Sequence, residues 1–204
     1  GRVINMGAGG AVKAGMGMGA YAASKAGVHK LTEALAEELA DSSVTVNATQ
    51  AIDAARLLGI PFFSAHTPTD NLVQAFLTRY FEEHDADTLD DVQKLLLALP
   101  EYRMAARQGL GPSLVDGVGE SRTGKIIIDM TGGTEGPVKA VKELADKGVG
   151  TIIGMHMSDD LRKAAAEHNI HVVIAGHMAS DSLGINLFMD ELERRGVSVI
   201  PTSG

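Results

Sequence analysis

Three short apolar runs, KIIID at 125–129, TIIGM at 151–155 and HVVIA at 171–175, recur with helix-length segments of mixed polarity between them. Runs of this length, bounded by turn residues and apolar on successive positions, read as strands of a sheet covered on both faces. Strand alternating with helix predicts an α/β fold with a mostly parallel sheet, flanking helices and right-handed crossovers. In such a sheet the C-terminal strand ends share one edge, and ligands bind there.

Those ends carry the chain's most distinctive pattern. His177 and Asp181 follow HVVIAG, His156 and Asp160 follow TIIGM, and His66 and Asp70 follow PFFSA, an apolar run read as a further strand. Three His-x-x-x-Asp pairs at three strand ends put imidazole and carboxylate groups in reach of one another. That combination suits a divalent transition metal such as zinc, iron, manganese or nickel. The bland alternative is that each Asp caps the helix that starts beside it. Asp160 fits this alternative best, because Ser158 and Asp159 crowd the same helix start. His84, His168 and His171 lie among polar residues and read as solvated.

The chain has no cysteine, so thiolate catalysis, zinc–thiolate sites and disulfides are excluded. Its net charge of −8 opposes nucleic-acid binding, which needs a basic face. No apolar stretch reaches the length of a membrane span, so a membrane role is not expected. No signal peptide is read at the N-terminus, and a cytoplasmic location is the expectation.

The first 49 residues have a different character. GRVINM reads as a strand, a Gly-rich loop follows, a helix runs from about Tyr21 to Ala40, and Val44 to Asn47 form a second strand, giving a β-α-β unit. The glycines are scattered, without the G-x-G-x-x-G spacing that opens a helix directly after a strand. Tyr21-Ala-Ala-Ser-Lys25 resembles the Tyr-x-x-x-Lys motif of the short-chain dehydrogenases, and GRVINM, AGVHKLTEALAEEL and VTVNA are similar to the elements around it. The resemblance implies a nicotinamide-dependent oxidoreductase in which Tyr21 donates the proton and Lys25 acidifies it. It covers about a quarter of the chain. The family's catalytic Ser falls on Ala8, and its N-terminal cofactor-binding half is missing. The bland reading of Tyr21 and Lys25 is a helix that packs.

From Gln50 onward the chain resembles a second family. HTPTDN, GKIIIDMTGGTEG and AGHMASDSLGINLFMDELERRGV, in that order, are similar to motifs of the Nif-three-like proteins, the dinuclear metal-centre hexameric family, some of whose members are labelled GTP cyclohydrolase I type 2 homologues. The resemblance implies that His66, Asp70, His177 and Asp181 are metal ligands, with Asp70 bridging, and that the chain forms a ring-like homo-oligomer. It also implies hydrolysis of a phosphorylated or cyclic small molecule by metal-activated water. The family's paired His-His-Pro ligands are absent, and the dehydrogenase-like segment stands in their place. The chain therefore reads as a join of two fragments. Residues 1–49 form a dehydrogenase-like β-α-β segment, and residues 50–204 form a metal-binding α/β domain with an incomplete dinuclear site. A non-catalytic assembly module is the remaining reading. The loop TGGTEG reads either as an anion cradle at a helix start or as a tight turn that needs glycine.

Overall fold

The structure, a computed structural model, describes residues 50–59, 66–131 and 135–199. The chain divides into two compact units, Gly1–Ala65 with Pro201–Gly204, and His66–Ile200. In the first unit the described element is helix α1 (Gln50–Leu57), with Asp53 in its first turn and Arg56 in its last. That placement complements the helix dipole. The expected N-terminal β-α-β unit, with Tyr21 and Lys25, and the strand expected before His66 lie outside the described residues.

The second unit contains helices α2 (His66–Glu83), α3 (Leu89–Ala98) and α4 (Pro100–Arg107), then strand β1 (Ser113–Asp116). The α/β alternation follows: β2 (Lys125–Asp129), α5 (Lys139–Asp146), β3 (Val149–Gly154), α6 (Asp159–Glu167), β4 (His171–Ile174) and α7 (His177–Arg194). The described sheet has the order β1-β4-β3-β2, with β2, β3 and β4 parallel and β1 antiparallel at one edge. The expected mixed α/β architecture with a mostly parallel sheet is the observed one.

Side-chain alternation explains why the strand sequences are apolar throughout. Ile127, Ile152 and Val172 stand in register across the sheet, and so do their neighbours Ile128, Ile153 and Val173. The first row packs with Val141 of α5 and Ala164 and Ala165 of α6. The second row packs on the opposite face with Val73 and Leu77 of α2, Leu89, Val92 and Leu96 of α3, Tyr102 of α4, and Ala179 and Leu183 of α7. The sheet is thus the middle of three layers, so both alternating faces must be apolar. Both crossover helices, α5 and α6, lie on one face, as crossovers of one hand must when the chain steps across the sheet in one direction.

The structure departs from the sequence expectations at several element boundaries. The five glycines and weak periodicity of residues 101–124 predict a partly helical connection with a hairpin-like tip. These residues contain most of α4, with Pro100 in its first turn, and the edge strand β1. The run VSVIP at 197–201 predicts a final strand, but none is formed at residues 197–199, and the remaining residues lie outside the described set. The polar HTPTDN stretch predicts a helix that starts at Asn71, but the helix begins at His66. Pro68 permits this, because backbone N–H groups in a first turn have no helical acceptor to lose. None of the described helices is long and apolar enough to cross a membrane.

Candidate functional site

The earlier helix starts change the meaning of His-x-x-x-Asp. His66 and Asp70 are both on the first turns of α2, and His177 and Asp181 are both on the first turns of α7. A four-residue offset on a helix places two side chains on one face, one turn apart. His66 Nδ1 lies 3.1 Å from Asp70 Oδ2, and His177 Nε2 lies 3.8 Å from Asp181 Oδ2. The expectation that Asp181 stands at the start of a later helix is corrected, since α7 already begins at His177.

Two glycines set the geometry around α7. Gly176, with φ 110° and ψ 125°, makes the turn from β4 into the helix in a region that side chains with a Cβ rarely adopt. Gly184 lies two turns into α7, where a Cβ would stand 2.7 Å from the Thr69 carbonyl oxygen of α2. The two helices therefore approach closely, backbone to backbone, near their His/Asp pairs. Thr69 Oγ1–H donates to the His66 carbonyl at 2.7 Å, and the Met130 N–H at the end of β2 donates to Gln74 Oε1 of α2 at 3.3 Å.

The first turn of α7 is also held from the side of α4. Tyr102 and Ser180 are fully buried. Ser180 Oγ–H donates to the Gly176 carbonyl at 2.8 Å, which leaves its oxygen to accept from the Tyr102 hydroxyl at 3.0 Å. Burial pushes the Tyr102 phenol well above its ordinary pKa of 10 despite the opposing Ser180 bond. Neither residue stands out in the sequence, where Tyr102 lies in a weakly periodic stretch and Ser180 among other small polar residues.

Electrostatics joins the two pairs. Asp181 has its pKa raised above 3.8, first by burial; the charge of His177 opposes that shift, Asp70 adds to it, and His66 and His156 oppose it. Asp181 thus interacts with groups from both pairs and from the end of β3. A hollow of about 220 Å³ is lined by His66, Thr67, Asp70, Asn71, Gln74, Met130 and Thr131. It has room for water or a small polar group and is smaller than the usual drug-sized pocket.

The third expected pair, His156 with Asp160, is not brought together. Ser158 is extended (φ −68°, ψ 157°), so α6 starts only at Asp159 and His156 is not one helical turn from Asp160. His156 Nδ1 instead lies 3.1 Å from Glu135 Oε1, and the Ser158 N–H donates to the same oxygen at 2.7 Å. Hydrogen bonding from Ser158, aided by His156, holds the Glu135 carboxyl below its ordinary pKa. The His156 ring stacks on His177, with centroids 5.1 Å apart and planes 16° apart. Ser158 occupies the N-cap position of α6, where its residue type favours a side-chain cap, but it makes no side-chain cap bond. Glu135 was not singled out in the sequence; its one signal was an acidic residue in an otherwise neutral Gly/Thr loop.

The donor set is imidazole nitrogen and carboxylate oxygen, which a divalent transition ion accepts readily. A cation beside Asp181 would also offset the burial and the Asp70 repulsion that disfavour its anion. Among the described residues, no three His, Cys, Asp or Glu side chains stand together in a way that could hold an ion as placed, and the two pairs meet internally.

Comparison with known proteins finds one family-model match and several similar solved structures. A family model described as short chain dehydrogenase matches residues 1–52. No protein with a curated description matches. Among solved structures, a NIF3 superfamily protein from Sphaerobacter thermophilus is similar, with 28% identity and a TM-score of 0.62 over 78% of this chain. The chain spans 59% of that protein's length. Reduced HcgD from Methanocaldococcus jannaschii is similar in fold at 14% identity, with a TM-score of 0.54 over 80% of this chain and 74% of that one. The α/β fold described here is therefore one that a NIF3 superfamily protein shares.

Proposed function

We propose that the chain is a Nif-three-like protein that binds a divalent transition metal through His66, Asp70, His177 and Asp181 and, in its active form, hydrolyses a phosphorylated or cyclic small molecule. The observation that carries this reading is the pairing of two His/Asp turns on helices that meet at Gly184 and Thr69, with Asp181 sensing both Asp70 and His66. The similarity to a NIF3 superfamily protein supports the same family.

When bound, a divalent ion would supply Lewis acidity that lowers the pKa of water and polarises a phosphoryl or ring bond. The protein's own part is to bring negative and neutral donors together at a low cost in ordering. Helix first turns fix the His/Asp spacing, and the Tyr102–Ser180–Gly176 chain fixes the start of α7. The hollow beside His66 and Asp70 admits a small polar group and restricts larger ones.

The test is metal analysis of tag-free protein after dialysis against manganese, iron and zinc salts, beside the Asp70→Ala and His177→Ala variants. Bound metal in the wild type and its loss in both variants supports the reading; metal-free wild type, still folded by circular dichroism, overturns it. Screening of phosphoesters and cyclic substrates with the loaded protein then tests the hydrolytic part. The dehydrogenase resemblance of residues 1–52 supports a second reading, cofactor binding at Tyr21 and Lys25, which saturable NAD(P)H fluorescence changes would reveal.

A further inference from the structure

The described sheet has two edges, and they differ in kind. At one edge, β1 carries an extra residue, Val115, between Leu114 and Asp116, and a bulge of this sort blunts an edge against further pairing. At the other edge the extra residue is Gly150 of β3, so β2 itself runs without interruption from Lys125 to Asp129. Among the described residues, β2 pairs with β3 alone. Its three isoleucines are only half-buried, whereas Ile152, Ile153, Val172 and Val173 of the inner strands are buried. A hollow of about 500 Å³ borders this edge, lined by Ile126, Ile127 and Ile128 and walled by Thr78, Phe81 and Glu82 of α2. An apolar edge strand with one row of unpaired backbone groups is a template for another strand.

The pattern Lys125-Ile-Ile-Ile-Asp129 selects the partner. Directly opposite residues of an antiparallel pair share one face of the sheet. When β2 meets a second copy of itself about a two-fold axis at Ile127, each Lys125 stands opposite an Asp129 and each Ile126 opposite an Ile128. Asp129 Oδ1 accepts from the Thr131 N–H at 3.2 Å, which holds that carboxylate at the strand end. A slip of two residues, the smallest that keeps the faces matched, loses both ion pairs and sets Ile127 against a charge. Parallel pairing in register sets Lys125 against Lys125. The charges thus favour one partner, one direction and one register. We infer that β2 is a dimerisation edge, where two copies of this chain join their sheets by antiparallel pairing centred on Ile127. The contact is isologous, with the same patch on both copies. It is independent of the metal-binding reading and of the ring-like assembly that the family resemblance implies. The competing occupants are another segment of the same chain and a strand from an unrelated protein.

The chain has no cysteine, so one introduced thiol reports the contact without interference. In the full chain, Ile127→Cys places two thiols on the axis, where opposite Cα atoms are about 4.5–5.5 Å apart, within reach of a disulfide. Mild oxidation should yield a covalent dimer from Ile127→Cys and not from Val115→Cys on the opposite edge. Sedimentation equilibrium of the tag-free full chain should show monomer and dimer in exchange. Lys125→Asp and Asp129→Lys each set like charges opposite one another twice per dimer, so each should raise the dissociation constant by about tenfold or more. The double variant Lys125→Asp/Asp129→Lys restores both ion pairs and should regain most of the wild-type affinity. A wild type that stays monomeric at every concentration, as expected when another segment of the chain covers β2, would overturn the inference. So would an oligomer indifferent to both charge reversals, a double variant no better than the singles, or equal cross-linking of the two cysteine variants. If a reversal variant fails to fold by circular dichroism, the cross-linking comparison decides alone.

Discussion

Replacement of Ser180 by Ala tests the buried hydroxyl chain that fixes the start of α7. Ser180 Oγ both donates to the Gly176 carbonyl and accepts from Tyr102, and neither side chain reaches solvent. Ser180→Ala leaves the Gly176 carbonyl with the Ser180-position backbone N–H, which already donates to it at 3.1 Å. The Tyr102 hydroxyl, by contrast, is stranded. A stranded buried donor costs about 1–3 kcal/mol. Tyr102→Phe removes the donor but leaves the Ser180 hydroxyl bonded to Gly176, so it should cost about 0.5–1.5 kcal/mol, the net value of one ordinary hydrogen bond. In the double variant both polar partners are gone and no group is stranded. Its cost should fall short of the sum of the single costs by about 1 kcal/mol, within the usual range for contacting residues. Urea denaturation of the three variants measures the cycle. Strict additivity, or a larger loss in Tyr102→Phe than in Ser180→Ala, would refute the hydrogen-bond direction and the burial argument together.

Three further outcomes follow from the same geometry. Gly184→Val places a Cβ 2.7 Å from the Thr69 carbonyl, where ordinary contacts begin at 3.4 Å. Overpacking of about 1–3 kcal/mol is expected by denaturation, and Gly184→Ala should lose less, because alanine recovers about 1 kcal/mol of helix propensity. Asp181 has a raised folded-state pKa, so the folded state holds the extra proton, and stability of the metal-free protein should fall as pH rises from about the ordinary value of 3.8 through the raised one. Asp181→Asn should flatten that pH profile and melt higher than wild type at neutral pH without metal; an unchanged profile would contradict the assignment. Tyr102, also raised, keeps its proton longer when folded, so stability should fall as pH rises above 10, and Tyr102→Phe should abolish that alkaline loss.

The sheet was legible because its strands are buried on both faces. KIIID, TIIGM and HVVIA show no alternation in sequence, since Ile152 and Ile153, or Val172 and Val173, enter two different cores. The strand ends were legible as well, as the apolar runs stop at Asp129, His156 and Gly176. The helix starts at His66 and His177 were not, because polar residues in a first turn resemble a loop and Pro68 resembles a helix stop. The antiparallel strand β1 was hidden by its short length and half-exposed SLVD pattern. Partners distant in sequence, such as Glu135 with His156 and Tyr102 with Ser180, carry no periodic signal and depend on how the chain returns to the same strand edge.

The central claim, a divalent metal held between the first turns of α2 and α7, is tested most directly by anomalous diffraction from crystals grown with Zn²⁺ or Mn²⁺. An anomalous peak is expected between α2 and α7, with zinc about 2.0–2.2 Å from nitrogen and oxygen atoms of His66, Asp70, His177 and Asp181. Crystals grown with the metal that show these four side chains paired only with one another, and no anomalous peak among them, would contradict it.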